Sequence, residues 1–115
     1  GELAWTSFDK SLKRIRLVWD GFRTCEPVIK IHPTQKPVAL YKWLLKNYAK
    51  QGDLILDTHV GSASSLIACH DMGFDAVGFE LDKDYYDKSK QRLEDFMKQP
   101  RLDAILIDNR EQISL

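Results

Sequence analysis

A strand that is apolar at every position needs cover on both faces, and Leu54-Ile55-Leu56 is such a run. A polar, glycine-containing turn follows, from Asp57 to Ser65. Ser64 to Met72 then reads as a helix with Leu66, Ile67 and Cys69 toward a core, ended by Gly73. Asp75 to Phe79 reads as a second strand. Asp82 N-caps a helix along which Tyr85, Tyr86, Ser89, Leu93 and Phe96 recur, and Pro100 stops it. Asp103 to Ile107 is a third apolar strand. Strand, helix, strand, helix, strand implies an α/β fold: parallel strands joined by right-handed helical crossovers in a βαβαβ core.

Upstream, Pro37 suits the first turn of a further helix. Leu40, Leu44, Leu45 and Tyr48 recur there at helical spacing, with Lys42, Lys46 and Lys50 on the outer face, and Gln51-Gly52 closes the helix. Before Pro27 the period changes to two. Ile15, Leu17 and Trp19 alternate with Arg14, Arg16 and Val18, and Leu3, Trp5 and Ser7 with Ala4, Thr6 and Phe8. Asp9-Lys10-Ser11 supplies the turn, so an N-terminal β-hairpin is expected, with Trp5 and Trp19 in its core. The 115 residues make one domain, with a hairpin region over 1–26 and an α/β region over 27–115.

Lys plus Arg and Asp plus Glu both number 17, so no global charge draws the chain to nucleic acid or membrane. No apolar run approaches the roughly 20 residues of a membrane span, and Gly1 to Phe8 lacks a signal-peptide pattern. Cys25 and Cys69 are too few for a disulfide scaffold, which fits a cytoplasmic protein. His59, His70 and Cys69 have no metal-site spacing, so no metal is expected. Both cysteines read as structural. The sign-alternating run from Lys83 to Lys98 reads as an exposed helix surface.

In such sheets ligands bind outside the carboxyl ends of the strands. The first strand ends at Asp57, and Gly61 in the next turn lets the backbone approach a ligand. The following helix offers unpaired N–H groups and a positive dipole end. The second strand ends at Glu80, 80 − 57 = 23 residues after Asp57, close to the spacing of a nucleoside site. Its carboxylate can accept both hydroxyls of a ribose. The turn lacks the G-x-G-x-x-G fingerprint, which argues against a nicotinamide or flavin site.

His32-Pro33-Thr34-Gln35-Lys36-Pro37, a helix, a buried strand with an Asp-containing glycine turn, and Gly78-Phe79-Glu80-Leu81 together resemble the amino-type DNA methyltransferases of the permuted β group. The resemblance covers roughly residues 2 to 97. It implies part of a Rossmann-like, S-adenosylmethionine-dependent methyltransferase fold. It also implies methyl transfer to adenine N6 or cytosine N4 of DNA, as in restriction–modification. Carried over residue by residue, it places Asp57, Gly61 and Ser62 at the methionine end of the cofactor, with Thr58, His59 and Ser64 in the same turn. Glu80 would bind the ribose, and Leu81 with Phe79 would flank the adenine. Thr34, Gln35 and Lys36 would close over the methionine end, beside His32 as an orienting residue.

The family's turn reads Asp-Pro-Phe-x-Gly-Ser-Gly-Thr; Thr58, His59 and Ala63 depart from it here. The family's catalytic Asp-Pro-Pro-Tyr has no counterpart, because the four prolines at 27, 33, 37 and 100 are never adjacent. The expectation is therefore a cofactor-binding part, without catalytic residues, that does not methylate DNA alone. The alternative is a non-catalytic relic or assembly module keeping the fold. DNA is the implied partner of the full enzyme. Self-association through an uncovered sheet is also expected.

Overall fold

The computed structural model describes residues 2–17 and 35–99. They contain α1 (Val38–Tyr48), β1 (Leu54–Asp57), α2 (Ser64–Met72), β2 (Asp75–Gly78) and α3 (Lys83–Lys98), in that order. β1 and β2 pair in parallel, with Leu54 opposite Asp75 and Asp57 opposite Gly78. α2 is the crossover between them. The expected strand at Asp103–Ile107, with Pro100, lies outside the described residues.

Local chemistry sets the boundaries. Pro37 is the N-cap of α1 rather than a residue of its first turn, and the helix ends at Tyr48, before Gln51-Gly52. Gly52, at φ 92°, instead shapes the turn into β1, where Asp53 N–H donates to the Lys50 carbonyl at 3.0 Å. α2 ends as expected at Gly73, whose φ is 80°. Gly73 N–H donates to the His70 carbonyl and Phe74 N–H to that of Cys69, a Schellman closure that turns Phe74 back onto the core. Asp82 caps α3 by accepting from Tyr85 N–H at 3.0 Å, and β2 follows Gly73 after a single residue.

The core lies between α1, α2 and one face of the sheet. Leu45, Ala68 and Cys69 form its centre, with Tyr41, Ile55, Met72 and Phe74 packed around them. Lys42, its side chain partly exposed, pairs with Asp71 across the two helices, whereas Lys46 is exposed.

Two expectations are corrected. β1 is not buried on both faces: Leu54 is 66% and Leu56 62% exposed. Val77, which pairs with Leu56, lies on the same open face. The reason is that α1 and α2 pack on the Ile55 side, and no described element covers the other. The second correction concerns residues 2–17, which form no strand. Leu3 and Trp5 are almost fully exposed, so Trp5 is not a core residue. This segment runs beside the end of α1 instead. Phe8 stacks on Tyr48 at 5.2 Å, and Lys10 and Lys13 donate to the Asn47 carbonyl and Oδ1. Two-residue alternation makes a strand only where another strand supplies hydrogen-bond partners. The residues around Trp19 and Gly21 lie outside the described residues.

Among the described residues, no helix is long and apolar enough to cross a membrane, and no cluster of ligating side chains could hold a metal ion.

Candidate functional site

The two strand ends are tied to each other. Phe79 N–H donates to the Asp57 carbonyl at 2.9 Å, and Val60 N–H donates to the Phe79 carbonyl at 3.0 Å. Packing reinforces the link at Gly78. A Cβ there would lie 2.4 Å from Val60 Cγ2 and 2.9 Å from Leu66 Cδ1. Glycine at 78 is thus what lets the turn lie against β2.

Asp57 organises the turn from inside. One carboxylate oxygen accepts from His59 N–H at 2.9 Å, and the other accepts from the Ser65 hydroxyl. Thr58 Oγ1 and His59 Nδ1 share a hydrogen bond of 2.8 Å at the exposed rim. Beyond it the backbone turns left-handed twice, at Gly61 (φ 59°) and at Ala63 (φ 70°, ψ 15°), the N-cap of α2. Glycine adopts this freely. For alanine the conformation costs about 1–2 kcal/mol. Ala63 is 1% exposed, and Ser62, Ser64 and Ser65 are also buried, so the turn is packed inward. Ser62 and Ser64 hydroxyls lie 3.2 Å apart.

One partner of this turn escapes the sequence reading. Arg92, in α3, donates from Nη1 to the Ser62 carbonyl at 2.7 Å and to the Ser64 hydroxyl at 2.9 Å. The stretch from Lys83 to Lys98 is therefore not simply a solvated surface. A signal was present: Ser89, Arg92, Leu93 and Phe96 follow one helical stripe, and all are at least partly buried.

Glu80 is different from Asp57. It is partly buried, and among the described residues its carboxylate has no hydrogen-bond or ion-pair partner. It borders a cavity of about 200 Å³, together with Val60 and Ala63 of the turn and Ser89 and Leu93 of α3. Phe79 and Leu81 are exposed beside it. A larger cavity, about 540 Å³, runs along β1 and α1 and reaches Asp57, Ser65, Tyr41 and Cys69. Burial, and then the nearby Asp57 charge, push the Tyr41 hydroxyl and the Cys69 thiol above their ordinary pKa values. Both stay protonated at neutral pH, so Cys69 is a buried structural thiol, as expected.

The remaining predicted residues divide. Gln35 is buried, and Lys36 Nζ holds the Glu2 carboxylate at 2.6 and 2.8 Å. That pair keeps the Glu2 carboxyl below its ordinary pKa, through the hydrogen bond first and the lysine charge second. His32 and Thr34 lie outside the described residues. The structure thus brings Asp57, Thr58, His59, Gly61, Ser62, Ser64 and Glu80 to the adjacent ends of two parallel strands, with Leu81 at the rim.

The chain is similar to known proteins. Residues 5–91 match the N6/N4 DNA methylase family model. The chain is 36% identical over 70 residues to the type II methyltransferase M.HpaI of Haemophilus parainfluenzae, covering 61% of this chain and 22% of that protein. It is 34% identical over 84 residues to the type II methyltransferase M2.DpnII of Streptococcus pneumoniae, covering 71% of this chain and 31% of the relative. The crystal structure of an M1.HpyAVI–SAM complex superposes with a TM-score of 0.53 at 32% identity, over 55% of this chain and 32% of that one. The chain spans between a fifth and a third of the length of these relatives. The family match runs from before α1 through both strand ends to the middle of α3, and the chain belongs to the N6/N4 DNA methylase family.

Proposed function

We propose that these 115 residues are the S-adenosylmethionine-binding part of a DNA methyltransferase that modifies adenine N6 or cytosine N4. The observation that carries this reading is Glu80: a partly buried carboxylate without a partner among the described residues, beside a glycine turn at the ends of parallel strands. Such a group suits the paired hydroxyls of a ribose, since an ionised carboxylate only accepts and can take two donors. The bound cofactor supplies a methyl group on a positively charged sulfur. The chain's own residues bind and orient it. Gly61 and Ser62 offer backbone to the methionine end, and Asp57 holds their turn while its negative charge favours an ammonium group. Thr58, His59 and Ser64 complete the turn, and Phe79 and Leu81 flank the adenine. Lys36 exchanges Glu2 for the cofactor carboxylate, the same chemistry on the same nitrogen. Gln35, Thr34 and His32 belong to the same closing segment.

The residues that hold the target amine are not among these 115, which carry no adjacent prolines. Purified chain is therefore expected to bind cofactor and to transfer no methyl group to DNA. Calorimetric titration with S-adenosylmethionine tests the first statement. Saturable binding that is weakened in Glu80→Ala supports it; a folded chain that does not bind makes the relic or assembly reading the better one. Methyl transfer by the chain alone overturns the second.

The open face of Leu54, Leu56 and Val77 adds self-association to the proposal. Light scattering at micromolar concentration is expected to show dimers that Leu56→Lys disperses. A monomeric parent removes this part.

A further inference from the structure

The turn between β1 and α2 has two left-handed residues, and the second, Ala63, has no glycine freedom. Something must hold it there. Asp57 fixes the entry to the turn through His59 N–H, and Ala63 N–H closes onto the Val60 carbonyl at 3.1 Å. The second contact holds the N–H end of the peptide between Ser62 and Ala63 but leaves its carbonyl end to another partner. Arg92 is that partner. Its Nη1 binds the carbonyl of that peptide and the hydroxyl of the next residue, across 30 residues of sequence. A guanidinium is suited to this, because its N–H groups sit in a rigid plane and stay charged at any relevant pH.

We propose that Arg92 is a positioning residue for the cofactor, holding the Gly61–Ser64 turn in its doubly left-handed form. The inference rests on the cofactor reading above and deepens it. The N-cap of α3, Asp82, lies two residues after Glu80, and the helix reaches the glycine turn with Arg92. One helix therefore adds a second tie, beside the hydrogen bonds between the strand ends, between the ribose carboxylate and the turn that faces the methionine end. Arg92 touches no ligand in this account; it acts through Ser62 and Ser64.

The test uses the full chain with Arg92→Met, which keeps length and removes the donors, and Arg92→Lys, which keeps the charge. S-adenosylhomocysteine affinity is expected to fall at least tenfold in Arg92→Met and to recover in part in Arg92→Lys. Ala63→Gly placed in the Arg92→Met background is expected to restore most of the loss, because glycine needs no clamp. A merely structural role for Arg92 would not be rescued by a glycine at 63. Hydrogen exchange of the Ala63 amide, read without ligand, is expected to accelerate at least tenfold in Arg92→Met and to slow again in Arg92→Lys. Arg92→Met affinity within twofold of the parent, or failure of Ala63→Gly to rescue it, overturns the proposal. If the parent itself binds no cofactor, the functional reading falls. The clamp then stands or falls on the exchange rates, and unchanged Ala63 exchange in Arg92→Met overturns it.

Discussion

The ends of β1 and β2 lie side by side, with Asp57 closing β1 and Glu80 two residues past β2, yet they are built in opposite ways. Asp57 spends both oxygens on its own turn, on the His59 amide and the Ser65 hydroxyl. Around it Ser62, Ala63, Ser64 and Ser65 are buried, and Arg92 ties the turn to α3. Glu80 has no such partners among the described residues and borders a cavity. A buried polar group satisfied from within contributes shape, whereas a carboxylate left open can take a ligand. The contrast teaches that the acidic residue nearest the glycine turn is first a structural device, and that the carboxylate free to meet a ligand sits one strand away.

Substitutions can break or sharpen that contrast, and the largest effects belong to the Asp57 end. Ala63→Val puts a β-branched side chain in a left-handed, fully buried position, and is expected to cost about 2–4 kcal/mol in urea denaturation. Gly78→Ala drives a Cβ into Val60 and Leu66 and is expected to cost about 1–3 kcal/mol by the same measurement, with the turn displaced from β2. Asp57→Ala leaves the buried Ser65 hydroxyl without its acceptor, for a loss of about 1–2 kcal/mol. Glu80→Gln is expected to leave stability within about 0.5 kcal/mol while weakening cofactor binding roughly tenfold in calorimetry. Should Glu80→Gln destabilise the chain as much as Asp57→Ala does, the two ends are not different in kind.

The smallest expected effect is on alkaline stability. Cys69 and Tyr41 have raised pKa values in the fold, so the unfolded chain loses their protons first. Stability from these groups is complete below the unfolded pKa and declines as pH rises above roughly 8.5 for the thiol. A Cys69→Ala chain is expected to show a flatter decline in thermal midpoint between about pH 8.5 and 10. An unchanged slope would place the thiol in a less buried setting.

Much of the α/β region was legible because its signals are local. A glycine past the last helical position ended α2, an aspartate capped α3, and a short apolar run followed by Asp57 marked β1. That the glycine turn and Glu80 lie together was legible for the same reason, since strand ends in a parallel sheet fall at one edge. The alternation of residues 2–17 misled because strand formation depends on a partner that alternation does not supply. Arg92 was missed because charge pattern describes a helix surface, whereas its role depends on which stripe meets the turn 30 residues earlier.

By itself the sequence determined the order of elements from α1 to α3, the C-cap of α2, the N-cap of α3 and the neighbouring positions of the two carboxylates, because hydrophobic period and capping act within a few residues. Only the tertiary structure decided which face of the sheet is covered, that Asp57 is satisfied while Glu80 is open, and that Arg92 reaches Ser62. Those outcomes depend on distances between residues far apart in the chain, and such distances are set by packing.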